Sequence, residues 1–304
     1  MSANITTLLS RYAVEKREAE MLIAHVLGVS RASIISHPER LLGAAEEQSI
    51  GKLLARRANG EPIAYLIGRR EFYGRDLTVS PATLIPRPET ELIVDLALAR
   101  ITDTLSRVNR AGARVSQPGV SQNAPAPLVS PTRISSHIPN VLDLGTGSGA
   151  IAVSIALECE DAIVVATDVS RDALTVAADN ARRLRANVVF IESSWYANLQ
   201  GRKFSLIVSN PPYVASGDIH LSQGDLRFEP QIALTDASPD GLCSIRNIVE
   251  GAPAHLNAGG WLLFEHGYDQ ADAARELLLK AGFENLTSVN DLAGIPRVAG
   301  GQIR

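Results

Sequence analysis

Two adjacent prolines set the strongest constraint on this chain. Pro211 and Pro212 follow an apolar run at residues 204–208 that reads as a buried strand. Neither proline has an N–H to donate, so the chain must leave the sheet at Asn210, at the strand's carboxyl end. In an open α/β sheet that edge is where ligands bind. Ser209-Asn210-Pro211-Pro212-Tyr213 then offers an amide oxygen, a carbonyl with no competing donor of its own and a flat apolar wall. Such a set suits a planar –NH2 group, because two acceptors take its two N–H bonds and aim the nitrogen. An Asn-Pro step also starts ordinary surface turns, so the upstream sequence has to decide.

Upstream, Val141-Leu142-Asp143-Leu144 reads as a strand, followed by the loop Gly145-Thr146-Gly147-Ser148-Gly149 and a helix through Ile151, Ala152, Ile155 and Ala156. Glycines let the backbone approach a ligand closely, and a helix N-terminus adds donors. A second strand at 163–167 ends in Asp168, roughly twenty residues after Gly145, where a strand-end carboxylate grips a ribose diol. Ser170 is placed to cap a helix at 171–185. Strands at 188–191, 260–265, 286–289 and 297–302 and helices at 245–256 and 270–280 continue the alternation, which means a doubly wound α/β sheet. The glycines do not settle the cofactor. Gly145-x-Gly147-x-Gly149 is common in S-adenosylmethionine binders, while Gly145-x-Gly147-x-x-Ala150 fits the loose dinucleotide pattern, and Asp168 serves either ribose. The discriminating feature is the segment 210–213. An amide clamp has no role in hydride transfer and an evident one in placing a nitrogen against a methyl sulfonium.

Residues 1–62 show helical spacing and are read as an N-terminal recognition domain. Ala19, Leu22, Ile23, Val26 and Leu27 share a face, Gly28 stops that helix, and a second helix at 46–59 ends at Gly60. Arg56 and Arg57 read as a solvated face. Residues 63–80, where Tyr65, Ile67, Phe72, Leu77 and Val79 alternate around Gly74, read as a β-hairpin linker to a domain at 81–304. Pro88 opens a helix expected over 89–104, with Arg87 and Glu89 as a local ion pair at its start. Residues 106–139 are rich in Ser, Pro, Ala and Gln and hold no acid, so a flexible insertion is expected there.

A net charge of -4 argues against a life on the nucleic-acid backbone. Cys159 and Cys243 are too few for a disulfide framework and read as reduced core thiols. The start Met1-Ser2-Ala3-Asn4 has no basic leader, and no apolar run approaches the ~20 residues of a membrane span, so a cytoplasmic protein is expected. His25, His37 and His255 read as structural or exposed, and no catalytic histidine or metal is expected. Gly300-Gly301-Gln302 lies just before the last two residues, Ile303 and Arg304.

The segments Glu71-Phe72-Tyr73-Gly74, 81–91, 210–214, Phe228-Glu229-Pro230, Asp240-Gly241-Leu242, Gly259-Gly260, Asp291-Leu292-Ala293-Gly294 and Arg297-Val298 together resemble the HemK/PrmC family. These are the glutamine methyltransferases of peptide-chain release factors. The similarity covers nearly the whole chain outside residues 106–140. Glu265-His266-Gly267 departs from it, since an aliphatic residue usually precedes the glycine. So does Ser193-Ser194-Trp195, which stands where Gly-Asp-Trp is more usual. The resemblance implies a Rossmann-like class I S-adenosylmethionine-dependent methyltransferase domain with a seven-stranded, mostly parallel, doubly wound sheet and a small N-terminal helical domain. It implies methyl transfer to the glutamine side-chain nitrogen in a release factor's Gly-Gly-Gln loop by a monomeric enzyme. Carried over, the loop of Gly145, Thr146, Gly147, Ser148 and Gly149 lies against the methionine end of the cofactor. Asp168 binds the ribose, Trp195 lies by the adenine, and Asn210 borders cofactor and substrate alike. Asn210, Pro211, Pro212 and Tyr213 hold the glutamine, with Arg87 and Glu89 on the substrate side. The alternative is an N-methyltransferase acting on an exocyclic base amine of DNA or RNA. The acidic charge and the helical N-terminal module stand against it. The chain's own Gly-Gly-Gln is read as a chance match at a strand end, with self-methylation as the alternative.

Overall fold

The structure, a computed structural model, describes residues 4–114 and 138–304. The first helices are α1 (Ile5–Leu9), α2 (Lys16–Leu27), α3 (Arg31–Ser36) and α4 (Ala44–Ala58). Local chemistry sets their ends. Asn4 caps α1 by accepting from the Thr7 N–H at 2.8 Å, and Ser30 caps α3. Gly28 leaves α2 in the left-handed conformation at φ 62°. The apolar stripes of α2 and α4 meet in a core of Leu22, Ile23, Ile50 and Leu54, with Ile5 and Leu8 of α1 closing it. Each such side chain contributes roughly 1.5–3 kcal/mol on burial. Arg57 is not a solvated residue. It donates to Glu18 at 2.7 and 2.9 Å and to Asp225 at 2.9 Å, tying these helices to a segment 168 residues further along the chain.

The expected hairpin is shorter than the linker read at 63–80. Tyr65 and Ile67 lie in α5 (Ile63–Ile67), a single helical turn between Pro62 and Gly68. Five residues are too few to tell a period of 2 from 3.6, and the buried Tyr65 hydroxyl, donating to the Thr83 carbonyl at 2.6 Å, favours the turn. The hairpin itself is β1 (Arg69–Phe72) and β2 (Arg75–Thr78). A 3₁₀ turn, Pro88–Thr90, leads into α6 (Glu91–Arg114), which runs well past the expected end at Thr104. No proline interrupts the sequence before Pro118, and its Arg and Ala residues favour helix. Of the insertion read at 106–139, residues 115–137 lie outside the described residues.

The large sheet follows: β3 (Asn140–Leu144), α7 (Ala150–Glu158), β4 (Ile163–Asp168), α8 (Arg171–Leu184), β5 (Val188–Glu192), β6 (Phe204–Ser209), α9 (Gln231–Leu234), α10 (Cys243–His255), β7 (Leu256–Glu265), α11 (Ala271–Lys280), β8 (Glu284–Asn290) and β9 (Pro296–Gln302). The strand order is β5-β4-β3-β6-β7-β9-β8, with β9 antiparallel to both neighbours and the other pairings parallel. Alternate strand residues enter opposite layers. Val141, Val208 and Leu263 pack with Ile93, Ile151 and Ile155 on one face, and Leu142, Ile207 and Leu262 pack with Ile245, Ile248 and Leu278 on the other. The chain moves outward from β3 to β5 and returns to β3's other side with β6. The carboxyl ends of β3 and β6 therefore flank a switch point, where such sheets bind ligands. Cys159 is half-buried and Cys243 exposed, so the core reading of the latter is wrong; it opens α10 on the surface. Among the described residues no helix is long and apolar enough to cross a membrane.

Candidate active site

A cavity of about 310 Å³ opens at the switch point. Its wall includes Gly145, Thr146, Gly147 and Ser148 from the loop after β3, Asp168 from the end of β4, Trp195 after β5, and Asn210 and Pro212 after β6. Residues read separately along the sequence are thus brought to one place, though Pro211 and Tyr213, read with them, are not on its wall. Gly149 is not on this wall. A Cβ there would lie 3.1 Å from the Cβ of Ala177, so its bare backbone serves the packing of α7 on α8. At Gly145, φ 72° would be strained for a residue with a side chain, and an added Cβ would sit 3.7 Å from the Trp195 ring. The loop backbone and the indole thus lie nearly in contact.

Asp168 fixes the loop. One carboxylate oxygen accepts the Gly147 N–H and the other the Ser170 N–H, both at 2.9 Å. Burial raises its pKa, and the backbone donors pull the other way. Beneath the loop, the fully buried Asp143 accepts from the Thr146 hydroxyl at 2.6 Å while its second oxygen has no hydrogen-bond partner among the described residues. Burial pushes its pKa up to about 7. The Trp195 turn is held by Ser193, whose hydroxyl donates to the Trp195 carbonyl at 2.9 Å and accepts the Asn198 N–H at 3.0 Å.

The segment after β6 is clamped from several sides. The Ser209 hydroxyl donates to the Leu144 carbonyl at 2.8 Å. The Gln270 amide nitrogen donates to the Tyr213 carbonyl at 3.0 Å, and a Cβ on Gly241 would collide with that same carbonyl. Pro211 is buried. The Asn210 amide nitrogen donates to the Thr90 hydroxyl at 2.9 Å. That hydroxyl donates in turn to Glu265 at 2.7 Å, and the Tyr213 hydroxyl donates to the other Glu265 oxygen at 2.9 Å. Burial raises the pKa of Tyr213, with the Glu265 carboxylate adding to it.

Arg87 and Glu89 do not form the expected local pair. Arg87 is bonded to the buried Glu229, which also accepts the Ile85 N–H at 3.0 Å; Glu89 is exposed on the 3₁₀ turn. Neither lines the cavity. Thr90, Glu265, Glu229, Gln270 and Asp143 carry the site's polar framework and escaped the sequence reading as site residues. A charge closing an apolar strand, as Asp143 nearly does and Glu265 does, was the visible signal. His266 follows Glu265, but its Nδ1 donates to the Gly267 carbonyl at 2.7 Å, burial lowers its pKa, and it does not line the cavity.

Residues 3–68 match the model of the PrmC N-terminal domain, and residues 128–225 match that of the methyltransferase small domain. The release factor glutamine methyltransferase of Bordetella pertussis is 46% identical over 97% of this chain and 98% of its own length. That of Burkholderia pseudomallei is 47% identical over 99% of this chain and 96% of its own. Among solved structures, the hMettl16 catalytic domain in complex with MAT2A 3'UTR hairpin 6 has a TM-score of 0.50 at 13% identity, covering 87% of this chain and 85% of that one. That likeness speaks for the fold alone. The end-to-end identity does more: this chain belongs to the release factor glutamine methyltransferase family.

Proposed function

We propose that the chain transfers a methyl group from S-adenosylmethionine to the side-chain amide nitrogen of the glutamine in the Gly-Gly-Gln motif of peptide-chain release factors. The carrying observation is the Asn210 amide. Its nitrogen is engaged by Thr90, which leaves the oxygen as the acceptor for a ligand in a cavity shared with the glycine loop.

The residues present fit the cofactor. The exposed edge of the Trp195 ring would border a flat base, Asp168 matches a ribose diol, and the backbone of residues 145–148 supplies close, side-chain-free approach for the methionine end. When bound, S-adenosylmethionine supplies an electrophilic methyl group on a positively charged sulfur. The chain's own task is to make an amide nitrogen nucleophilic, since its lone pair is delocalised into the carbonyl. The Asn210 oxygen would accept one N–H and the Pro211 carbonyl the other, so that the nitrogen would be held with its lone pair free of protein donors and turned toward the cofactor's side of the cavity. Both acceptors also favour positive charge developing on nitrogen, by roughly 3 kcal/mol each. The methylated nitrogen would be strongly acidic and would give an N–H proton to solvent water, so no histidine is required. Pro212 and the Tyr213 ring confine the glutamine.

In this reading residues 1–62 recognise the release factor away from the loop, 63–80 join them to the catalytic domain at 81–304, and exposed Glu89, beside Thr90, meets the release factor outside the cavity. Arg87 shapes that approach through Glu229. The enzyme acts as a monomer in the cytoplasm, where its substrate works. A tritiated-methyl transfer assay tests the proposal, with release factor, duplex DNA and ribosomal RNA offered separately. Label is expected in the release factor and lost when its loop glutamine is replaced. Label in nucleic acid alone would overturn the reading.

A further inference from the structure

The cavity wall carries a directionality that the clamp segment alone does not provide. An asparagine amide has two faces of opposite character, an –NH2 and a C=O, and only the oxygen can accept from a substrate –NH2. Something must hold Asn210 the right way round. Its neighbour Thr90 is buried, and so is Glu265, which ends β7 beside the end of β6. Burial raises the Glu265 pKa while Thr90, Tyr213 and Arg297 pull it back, and as the carboxylate it has no proton to give. Its two oxygens therefore accept from the Thr90 hydroxyl at 2.7 Å and the Tyr213 hydroxyl at 2.9 Å. Thr90 has a single hydroxyl proton, now committed to Glu265, so its oxygen is left only to accept. The group that meets it at 2.9 Å must be the Asn210 –NH2. A flipped amide would set two oxygens against each other at that distance, and losing this buried hydrogen bond disfavours the flip on the order of tenfold to a hundredfold.

We infer that Thr90 and Glu265 are positioning residues that fix the polarity of the active-site amide: Glu265 orients the Thr90 hydroxyl, Thr90 orients Asn210, and the Asn210 oxygen is thereby presented to the substrate nitrogen. The inference rests on the reading of Asn210 as the acceptor for that nitrogen. The same carboxylate holds Tyr213, so the polar and the flat side of the glutamine site share one reference point. The relay also sets selectivity within the substrate amide. A site presenting an acceptor admits the glutamine nitrogen and rejects its oxygen, whereas a flipped Asn210 would draw the oxygen toward the methyl group.

Three variants test this: Thr90→Ser, Thr90→Val and Glu265→Gln, each assayed on release factor and each titrated calorimetrically with S-adenosylmethionine. Thr90→Val keeps the shape and removes the hydroxyl; kcat is expected to fall by roughly tenfold or more, with cofactor affinity within about threefold of wild type. Thr90→Ser retains the hydroxyl and is expected to restore most of the rate. Glu265→Gln leaves one acceptor where Thr90 and Tyr213 need two, so one of the two anchors is lost and kcat is expected to fall below that of Thr90→Ser. Wild-type kcat in Thr90→Val would overturn the inference. Equal losses in Thr90→Ser and Thr90→Val would also overturn it, because they would show a packing role. If Thr90→Val fails to fold, the comparison of Thr90→Ser with Glu265→Gln carries the test: equal kcat in the two overturns the inference. Absence of label in release factor with the wild-type enzyme would instead sink the functional reading itself, which separates the two failures.

Discussion

The side-chain amide nitrogen of Gln302 donates to the Gly259 carbonyl at 2.8 Å. Its oxygen accepts from the Asn285 amide at 2.9 Å, so this glutamine is occupied within the sheet. The two glycines before it answer to packing. A Cβ on Gly300 would collide with the Leu262 carbonyl, and one on Gly301 would lie 2.8 Å from Phe283 and Leu286. This Gly-Gly-Gln is therefore a strand feature. Incubation with S-adenosylmethionine alone should leave the intact mass unchanged; the gain of a methyl group would refute this. Gly301→Ala should destabilise by about 1–3 kcal/mol in denaturant unfolding, the usual cost of overpacking.

Asn210→Ala removes the acceptor and leaves the glycine loop untouched. kcat on release factor should fall by roughly a hundredfold or more, with calorimetric affinity for S-adenosylmethionine nearly intact. Near wild-type turnover would remove Asn210 from the clamp.

Asp168→Ala should act on the cofactor instead. Its carboxylate holds the Gly147 and Ser170 N–H groups and faces the cavity. Cofactor affinity, measured without release factor, should weaken by at least about tenfold, as for a lost charge-assisted pair. Unchanged affinity would count against it as the ribose ligand.

Asp143 should make stability depend on pH. Its folded pKa is about 7, against 3.8 for the unreleased group's ordinary value, so the folded state holds the proton more tightly. The stabilisation is complete below about pH 4 and is lost as pH rises through about 7. Three pKa units correspond to at most about 4 kcal/mol. In cofactor-free denaturant unfolding, Asp143→Asn should flatten the profile over that window. A profile like wild type would contradict the assignment.

Asn180 should be structurally indispensable. It accepts the Thr78 N–H at 2.7 Å and donates to the carbonyls of Thr78 and Ser148 at 2.9 Å, joining the hairpin to the glycine loop. Asn180→Ala leaves these buried groups without partners and should cost about 3 kcal/mol in unfolding free energy. A loss well under that would mean water replaces the amide.

By itself the sequence determined what depends on near neighbours. Pro211 and Pro212 end β6 because they lack donors, the glycines at 145 and 147 permit positive φ, Ser170 caps α8, and the apolar runs from residue 141 onward alternate between strands and helices. Local signals failed where they were too short or too polar. Tyr65 and Ile67 sit in five residues that fit either period, and α6 continues to Arg114 through a stretch with few apolar residues to mark it. The tertiary structure decided what joins distant positions. Arg87 meets Glu229 rather than Glu89, and Gly149 is spent on Ala177 rather than on the cavity. Thr90, Asn210, Tyr213 and Glu265 become one network only when β6 and β7 lie side by side. A buried hydroxyl or carboxylate takes its partner from whatever packing brings within about 3 Å, and no local pattern in the chain records that distance.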